Sequence, residues 1–340
     1  MSNKLEIQMT AEALVANGKG ILAADESLGS IQKRFEPYSI VSTPESRRSY
    51  RELLITTPEI EEFISGVILF DETIKQSTGA GRLFPQYLAE RGIFTGIKVD
   101  KGLRPMPAFA GEKITEGLDG LRERLEEYRN FGAKFAKWRA VFEISPGTPS
   151  RYAIRANALL LAQYAILCQE EGLTPIIEPE VLNDGPHHIC MAEEVTDAVL
   201  TEVFAALKEA HVILEGMLLK PNMVMAGGDF PKPSEPEEVA ESTLRVLRRC
   251  VPAAVPGIVF LSGGQSANRA TMNLQAMNAM GKAPWQLSFS FGRALQSPTL
   301  EQWRGQQKNI YAAQSLFTAR AHYNHLAVLG QYDPTQDQTA

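Results

Sequence analysis

Short apolar runs rich in β-branched residues recur along the chain, and each run ends in or just before a polar residue. Between successive runs lie longer segments whose apolar positions follow the spacing of a helix. Eight runs are present, at residues 21–27, 66–72, 94–102, 133–142, 174–182, 213–222, 257–264 and 286–295. Alternation of this kind predicts parallel strands that are joined by helical crossovers.

Eight strand–helix units within 340 residues favour a closed (β/α)8 TIM barrel over an open α/β sheet. An open Rossmann sheet would also need a glycine-rich turn after its first strand, and the segment ILAADES has no such pattern. The length admits two domains, but no linker or low-complexity segment interrupts the alternation. We therefore predict a single (β/α)8 barrel domain over residues 1–340, with a polar and mobile tail at 331–340.

Composition and charge favour some classes of protein and argue against others. Hydrophobic residues make up 44% of the chain and charged residues 22%, as in globular proteins. The net charge of −6 provides no basic field for a nucleic-acid backbone, so nucleic acid is not an expected partner. The cysteines Cys168, Cys190 and Cys250 form no C-x-x-C pair, which favours a reducing compartment. With no signal-like start and no long apolar run, we expect a cytoplasmic protein without a membrane partner. The alternative is a mature organellar form whose leader has been removed.

Charged and polar side chains stand at the C-terminal ends of the eight runs, where a barrel of this type builds its active site. They are Asp25, Asp71, Lys98, Lys137 with Arg139, Glu178 with Glu180, Lys220, Ser262 and Arg293. Strand side chains alternate between faces, so the members of each pair share one face. Any one of these charges could simply mark the point where a strand enters water, but the set as a whole favours a site.

Lys220 follows three apolar residues and precedes a proline, so its amine is held at the end of an apolar strand. Burial and nearby cations favour the neutral amine that attacks a carbonyl to form a Schiff base. The alternative is a lysine that reaches solvent along its apolar stem. Glu178 and Glu180 interrupt an apolar run, which is costly unless they are paired. They are candidates for proton transfer, salt-bridge partners of Lys137 or Lys220, or both.

Glycine-rich segments follow the last two runs. LSGGQS at 261–266 and SFGRAL at 290–295 offer approachable backbone N–H groups and an arginine, where barrels often bind phosphate. DESLGSIQKR at 25–34 adds hydroxyls and cations for a second phosphate, although Ser27 or Ser30 could equally cap a helix. None of the five histidines has metal-binding spacing, so we predict no metal site.

Eight segments together resemble the class I, Schiff-base, fructose-bisphosphate aldolases. They are GKGILAADES (18–27), GVILFDET (66–73), GIKVDKG (96–102), FAKWR (135–139), PIIEPE (175–180), LEGMLLKPNMV (214–224), FLSGGQS (260–266) and SFGRALQ (290–296). The resemblance implies reversible cleavage of fructose 1,6-bisphosphate to dihydroxyacetone phosphate and glyceraldehyde 3-phosphate. It also implies phosphorylated ketose and triose substrates, no metal or other cofactor, and a homotetramer.

Position by position, the resemblance implies that Lys220 is the Schiff-base lysine and Glu178 the principal acid/base. It implies supporting catalytic roles for Glu180, Asp25 and Lys137. The phosphate near the reacting carbonyl is implied to contact Ser262, Gly263, Gly264, Ser290, Gly292 and Arg293. The other end of the substrate is implied to contact Ser27, Ser30, Arg34, Lys98 and Arg139, with Arg47 as a further substrate-contacting arginine.

Animal members of the family end in a tyrosine that is assigned to enamine protonation. In this sequence Tyr332 is the last tyrosine and lies within the polar tail. The resemblance therefore leaves open which group protonates the enamine, and how far the bisphosphate is preferred over fructose 1-phosphate.

Two alternatives stand beside this interpretation. Another Schiff-base barrel aldolase would use a different phosphorylated sugar, such as sedoheptulose 1,7-bisphosphate. A non-catalytic scaffold would keep the barrel and bind protein partners. The scaffold predicts that site residues have decayed, whereas Lys220, Glu178, Lys137, Asp25 and Arg293 all stand at their motif positions.

Overall fold

Eight parallel strands close into a barrel in the computed structural model, which describes residues 2–337. The chain forms β1 (Gly20–Ala24), β2 (Ile64–Leu69), β3 (Phe94–Lys98), β4 (Leu103–Pro105), β5 (Lys113–Thr115), β6 (Ala133–Phe142), β7 (Thr174–Val181), β8 (Leu218–Leu219), β9 (Gly257–Phe260) and β10 (Gln286–Phe291). All except β4 and β5 belong to the barrel, where consecutive strands are neighbours and β10 pairs with β1. These eight strands overlap the eight predicted runs, so the (β/α)8 prediction is confirmed.

Twelve α-helices lie within the described residues. They are α1 (Ser2–Leu14), α2 (Leu28–Phe35), α3 (Pro44–Ile55), α4 (Asp71–Ile74), α5 (Phe84–Glu90), α6 (Leu121–Asn130), α7 (Arg151–Glu170), α8 (Ile189–Glu209), α9 (Pro236–Cys250), α10 (Ala267–Ala279), α11 (Arg293–Trp303) and α12 (Ile310–Val328). Side-chain caps set several of the starts: Ser150 caps α7 and Ser266 caps α10. None of these helices is both long and apolar enough to cross a membrane.

Apolar side chains from alternate strand positions fill the barrel interior. Ile21, Ile68, Phe135, Ile176, Leu218 and Val259 form one buried cluster, and α1 adds Ala11 and Leu14 to it. Position 96 requires a glycine, because a Cβ there would overlap the aromatic ring of Phe135. Apolar side chains therefore fill the middle of the barrel, and the open cavity lies at the C-terminal ends of the strands.

The hairpin of β4 and β5 is the element that the sequence pattern missed. Its antiparallel strands pair Leu103 with Thr115 and Pro105 with Lys113. The hairpin lies between β3 and β6 along the chain and forms a separate sheet, while β3 and β6 pair directly in the barrel. Three residues per strand are too few for an alternating pattern to stand out.

The predicted tail packs against the barrel's outer helices through two of its residues. Tyr332 and Asp337 are buried, and the carboxylate of Asp337 forms an ion pair of 2.7 Å with Arg320 of α12. The mobility that we predict for 331–340 stays a prediction, and residues 338–340 lie outside the described residues.

Candidate active site

An open cavity of about 1010 Å³ lies at the C-terminal end of the barrel strands. Its lining includes most of the predicted site residues: Asp25, Ser27, Ser30, Arg34, Lys98, Lys137, Arg139, Glu178, Glu180, Lys220, Ser262, Gly263, Ser290, Gly292 and Arg293. Parallel strands bring these residues together because all eight end at the same mouth. Arg47 and Gly264 are outside the lining.

Lys137 of β6 lies between two carboxylates. Its Nζ is 2.8 Å from Oδ2 of Asp25, which follows β1, and 2.9 Å from Oε2 of Glu178 in β7. All three side chains are largely withdrawn from solvent. Burial by itself would lower the pKa of Lys137, but the two carboxylates outweigh it and raise that pKa above its ordinary value. Lys137 is therefore a fixed positive charge.

Glu178 bridges Lys137 and Lys220. The Nζ of Lys220 lies 3.1 Å from Oε1 of Glu178, and the backbone N–H of Lys220 donates to the carbonyl of Ile177 at 2.8 Å. Burial alone would raise the pKa of Glu178, but the neighbouring ammonium groups lower it below its ordinary value. Burial would likewise raise the pKa of Asp25, but the charges of Lys137 and Lys220 outweigh it and lower this pKa. Both carboxylates are thus held as anions.

Two further ion pairs continue the lining. Arg139 donates through Nε to Oε2 of Glu180. The Nζ of Lys98 is 2.6 Å from Oδ1 of Asp100, and this buried carboxylate also accepts the backbone N–H of Arg139 at 3.3 Å. Asp100 was not among the predicted site residues, although its spacing of two from Lys98 indicates a shared face.

Two helices begin at the glycine-rich side of the cavity. The loop after β9, residues 262–265, leads into α10, and Gly292 directly precedes Arg293 at the start of α11. Helix N-termini offer unpaired N–H groups and a partial positive charge, which favour anions. Ser290 contributes a buried hydroxyl whose Oγ has no hydrogen-bond partner among the described residues.

The glycines of this loop are required by close contacts. A Cβ at Gly263 would lie 2.8 Å from Oε1 of Glu180. Gly264 has a φ of +73°, and a Cβ there would lie 2.8 Å from the Cβ of Asn183. Gly264 therefore shapes the loop although it is outside the cavity lining.

The opposite side of the cavity is built on α2. Ser27 caps this helix by accepting the N–H of Ser30, so the helix-capping alternative holds while both residues still line the cavity. Arg34 is held by Glu26 and by Oε1 of Gln296, at 3.0 Å from the latter. Glu26 and Gln296 were not among the predicted site residues, and only the fold brings Gln296 of α11 next to α2.

Arg47 of α3 is outside the cavity lining and forms an ion pair with Glu72. Its Nε and Nη2 lie 2.7 Å and 2.6 Å from the two carboxylate oxygens of Glu72 in α4. It also donates to the carbonyl of Ser42 at 3.2 Å. This fork holds α3 against α4 in the structure.

The amine of Lys220, the carboxylate of Glu178 and the ammonium group of Lys137 lie in contact within one buried cluster. Hydroxyls, glycine N–H groups and arginines flank this cluster on two sides. Such a site suits attack of an amine on a carbonyl with proton transfer, on a substrate that carries anionic groups. Within residues 2–337, no group of three or more His, Cys, Asp or Glu side chains is placed to hold a metal ion.

Comparisons with known proteins agree with this chemistry. The family model described as fructose-bisphosphate aldolase class-I matches residues 6–340. A protein of Xylella fastidiosa (strain Temecula1), named as a probable fructose-bisphosphate aldolase class 1, is 54% identical over 96% of this chain and 98% of its own length. The fructose-bisphosphate aldolase of Dictyostelium discoideum is 51% identical over 96% of this chain and 92% of its own length.

A solved structure of an aldolase is similar to this structure over nearly the whole chain. It is a ternary complex of fructose-bisphosphate aldolase from Plasmodium falciparum with TRAP and a small-molecule inhibitor. The two chains are 49% identical, the TM-score is 0.97, and the match covers 98% of this chain and 96% of that one.

Proposed function

Because this chain belongs to the class I fructose-bisphosphate aldolase family, we propose that Lys220 forms the Schiff base and that Glu178 is the principal acid/base. Enzymes of this class cleave fructose 1,6-bisphosphate reversibly through a lysine Schiff base, without a metal. The observation that carries the assignment is the 3.1 Å contact between Nζ of Lys220 and Oε1 of Glu178. An amine that must lose a proton before it attacks needs an acceptor within hydrogen-bond distance.

Cleavage starts when Nζ of Lys220 attacks C2 of the ketose. Glu178 transfers the protons that let water leave the carbinolamine, and an iminium forms. The iminium takes up the electron pair of the C3–C4 bond as that bond breaks. Glu178, aided by Asp25, removes the proton of the C4 hydroxyl, and glyceraldehyde 3-phosphate leaves. Protonation of the enamine at C3 and addition of water to the imine then release dihydroxyacetone phosphate and the free lysine.

Lys137 and Glu180 have supporting roles in this scheme. Lys137 contacts both Asp25 and Glu178, so its charge keeps the two carboxylates available as proton acceptors. Glu180 pairs with Arg139 and orients its guanidinium at the cavity wall. Both roles depend on burial, because charges act more strongly where water is excluded.

The phosphate next to the reacting carbonyl is assigned to the glycine-rich side of the cavity, formed by Ser262, Gly263, Gly264, Ser290, Gly292 and Arg293. The free hydroxyl of Ser290 and the start of α11 support this assignment. The other end of the substrate is assigned to Ser27, Ser30, Arg34, Lys98 and Arg139. Arg47 can contact substrate only if its ion pair with Glu72 opens.

The assembly and compartment are proposed from the family alone. We expect a homotetramer, which sedimentation velocity would show as a species of about four times 37.5 kDa. We also propose a cytoplasmic location, because relatives from Arabidopsis thaliana are named as cytosolic.

Borohydride reduction in the presence of dihydroxyacetone phosphate tests the mechanism, with EDTA present throughout and peptide mass mapping of the product. We expect one covalent adduct, on Lys220, and none in Lys220→Met. An adduct on Lys137 or Lys98 would overturn the assignment of the nucleophile. The absence of any adduct in the wild-type protein would overturn the Schiff-base mechanism.

A further inference from the structure

A buried ion pair joins the C-terminal segment to the body of the protein. Arg320 of α12 is 0% exposed and Asp337 is 8% exposed. Nη1 of Arg320 lies 2.7 Å from Oδ2 of Asp337, and the hydroxyl of Tyr332 donates to the same oxygen at 2.9 Å. Such a pair adds little net stability, because both ions lose their hydration. It does restrict the groups that it joins to one arrangement.

The same guanidinium binds the first turn of α10. Nη2 of Arg320 donates to the carbonyl of Ala267 at 3.0 Å and to the hydroxyl of Thr271 at 2.5 Å. Nη1 donates to Oδ1 of Asn268 at 3.1 Å. Asp337 thus holds a guanidinium that in turn holds the start of α10.

That start is continuous with the loop assigned to phosphate. Ser266 caps α10 directly after residues 262–265. The backbone N–H of Gln265 donates to the carbonyl of Ser262 at 3.2 Å, and the side chain of Gln265 accepts from Asn273 of α10 at 2.8 Å. The position of α10 therefore determines where the hydroxyl of Ser262 and the N–H groups of this loop lie.

We propose that the ion pair of Arg320 and Asp337 positions the phosphate-binding loop 262–264 and thereby sets the affinity for the substrate phosphate. The inference rests on the proposed function of this loop. Arg320 and Asp337 are positioning residues, since they act through α10 and are outside the cavity lining. Backbone N–H groups bind a phosphate well only when they are held within about 0.5 Å of the required geometry.

A pair of ketones separates phosphate binding from the chemistry. Dihydroxyacetone phosphate and dihydroxyacetone both form a Schiff base and differ only in the phosphate. The test is borohydride trapping of Lys220 at increasing concentrations of each ketone. In Asp337→Asn we expect the half-saturating concentration of dihydroxyacetone phosphate to rise about tenfold, which is a loss of about 1.4 kcal/mol. The value for dihydroxyacetone should stay unchanged, whereas a general structural defect would weaken both.

Two further variants test the same inference if Asp337→Asn does not fold. The double variant Arg320→Met, Asp337→Leu removes both charges of this pair together, and it should fold and show the same selective loss. Tyr332→Phe removes the hydroxyl that donates to Asp337, keeps both charges of the pair and should give a smaller loss in the same direction. It decides the question if the other variants fail to fold. Glu112→Gln, which changes a buried carboxylate in the hairpin of β4 and β5, is the matched control and should leave both values unchanged.

An equal effect on both ketones, or none on either, in a folded variant would overturn this inference. The proposed function would then still stand, because the wild-type protein would be trapped on Lys220. If neither ketone gave an adduct in the wild-type protein, the proposed function itself would be wrong.

Discussion

The Nζ of Lys220 lies 3.1 Å from Oε1 of Glu178. The other carboxylate oxygen of Glu178 lies 2.9 Å from Nζ of Lys137. In the proposed mechanism the first contact gives Lys220 a proton acceptor, and the second keeps that carboxylate ionised until the proton is transferred. The amine, the carboxylate and the second lysine that the proposed mechanism requires are thus in direct contact.

Replacing Glu178 by Gln keeps the side-chain size and removes the proton acceptor. We expect kcat for fructose 1,6-bisphosphate to fall by about 10²- to 10⁴-fold, the range for loss of a general acid/base, with a small change in KM. Steady-state kinetics measures both. Glu112→Gln, the matched change at a buried carboxylate elsewhere, should keep kcat near the wild-type value. Near-normal kcat in Glu178→Gln would remove Glu178 from the mechanism.

Arg293→Ala tests the phosphate assignment. The side chain lies at the start of α11, where helix and arginine favour the same anion. We expect KM for fructose 1,6-bisphosphate to rise about tenfold or more, with a much smaller effect on kcat, since a charged hydrogen bond contributes about 1.5–3 kcal/mol. The inhibition constant of inorganic phosphate should rise in parallel. Arg155→Ala, at an exposed position on α7, is the control, and a fall in kcat at unchanged KM would argue against phosphate binding.

Asp25 links the site to the pH dependence of folding. Burial would raise the pKa of this carboxyl, but Lys137 and Lys220 lower it below its ordinary value of 3.8. A carboxyl whose pKa is lower in the folded protein adds stability above its ordinary pKa, and that stability is lost as pH falls toward the folded-state value. We expect Asp25→Asn to reduce the free energy of unfolding by about 1–3 kcal/mol at neutral pH.

That difference from the wild-type protein should shrink as the pH falls below about 4. Urea unfolding of both proteins across this range measures it. A difference that is constant or that grows in acid would show that the pairing with Lys137 does not stabilise the ionised carboxylate.

The hairpin of β4 and β5 carries a cap for α7. The carboxylate of Glu112 accepts the backbone N–H and the hydroxyl of Ser150, each at 2.5 Å. Glu112→Gln removes a negative charge near the helix N-terminus and should lower stability by about 1 kcal/mol, with no change in kcat. Thermal unfolding checks this prediction. Glu116→Gln, at an exposed ion pair with Arg104, should change stability by less than about 0.5 kcal/mol, and equal effects would contradict the capping role.

The barrel and the charged centre of the cavity were predictable from the sequence by itself. Strand and helix periods are local properties, so eight alternating runs indicate eight strand–helix units without any knowledge of contacts. The rule that strand ends meet at one mouth then places Lys220, Glu178 and Lys137 in one site. The motif resemblance to the aldolases added the reaction, because the order of the segments is also a property of the sequence.

Only the tertiary structure decided which groups touch. That Glu178 lies between two lysines follows from the register of β6, β7 and β8. Glu26 and Gln296 reach Arg34 from different segments, and Glu72 holds Arg47 away from the cavity lining. The contact of Arg320 with Asp337 and α10 has no local signature either. Hydrogen bonds and ion pairs depend on distances of a few tenths of an ångström, and the sequence period does not encode them.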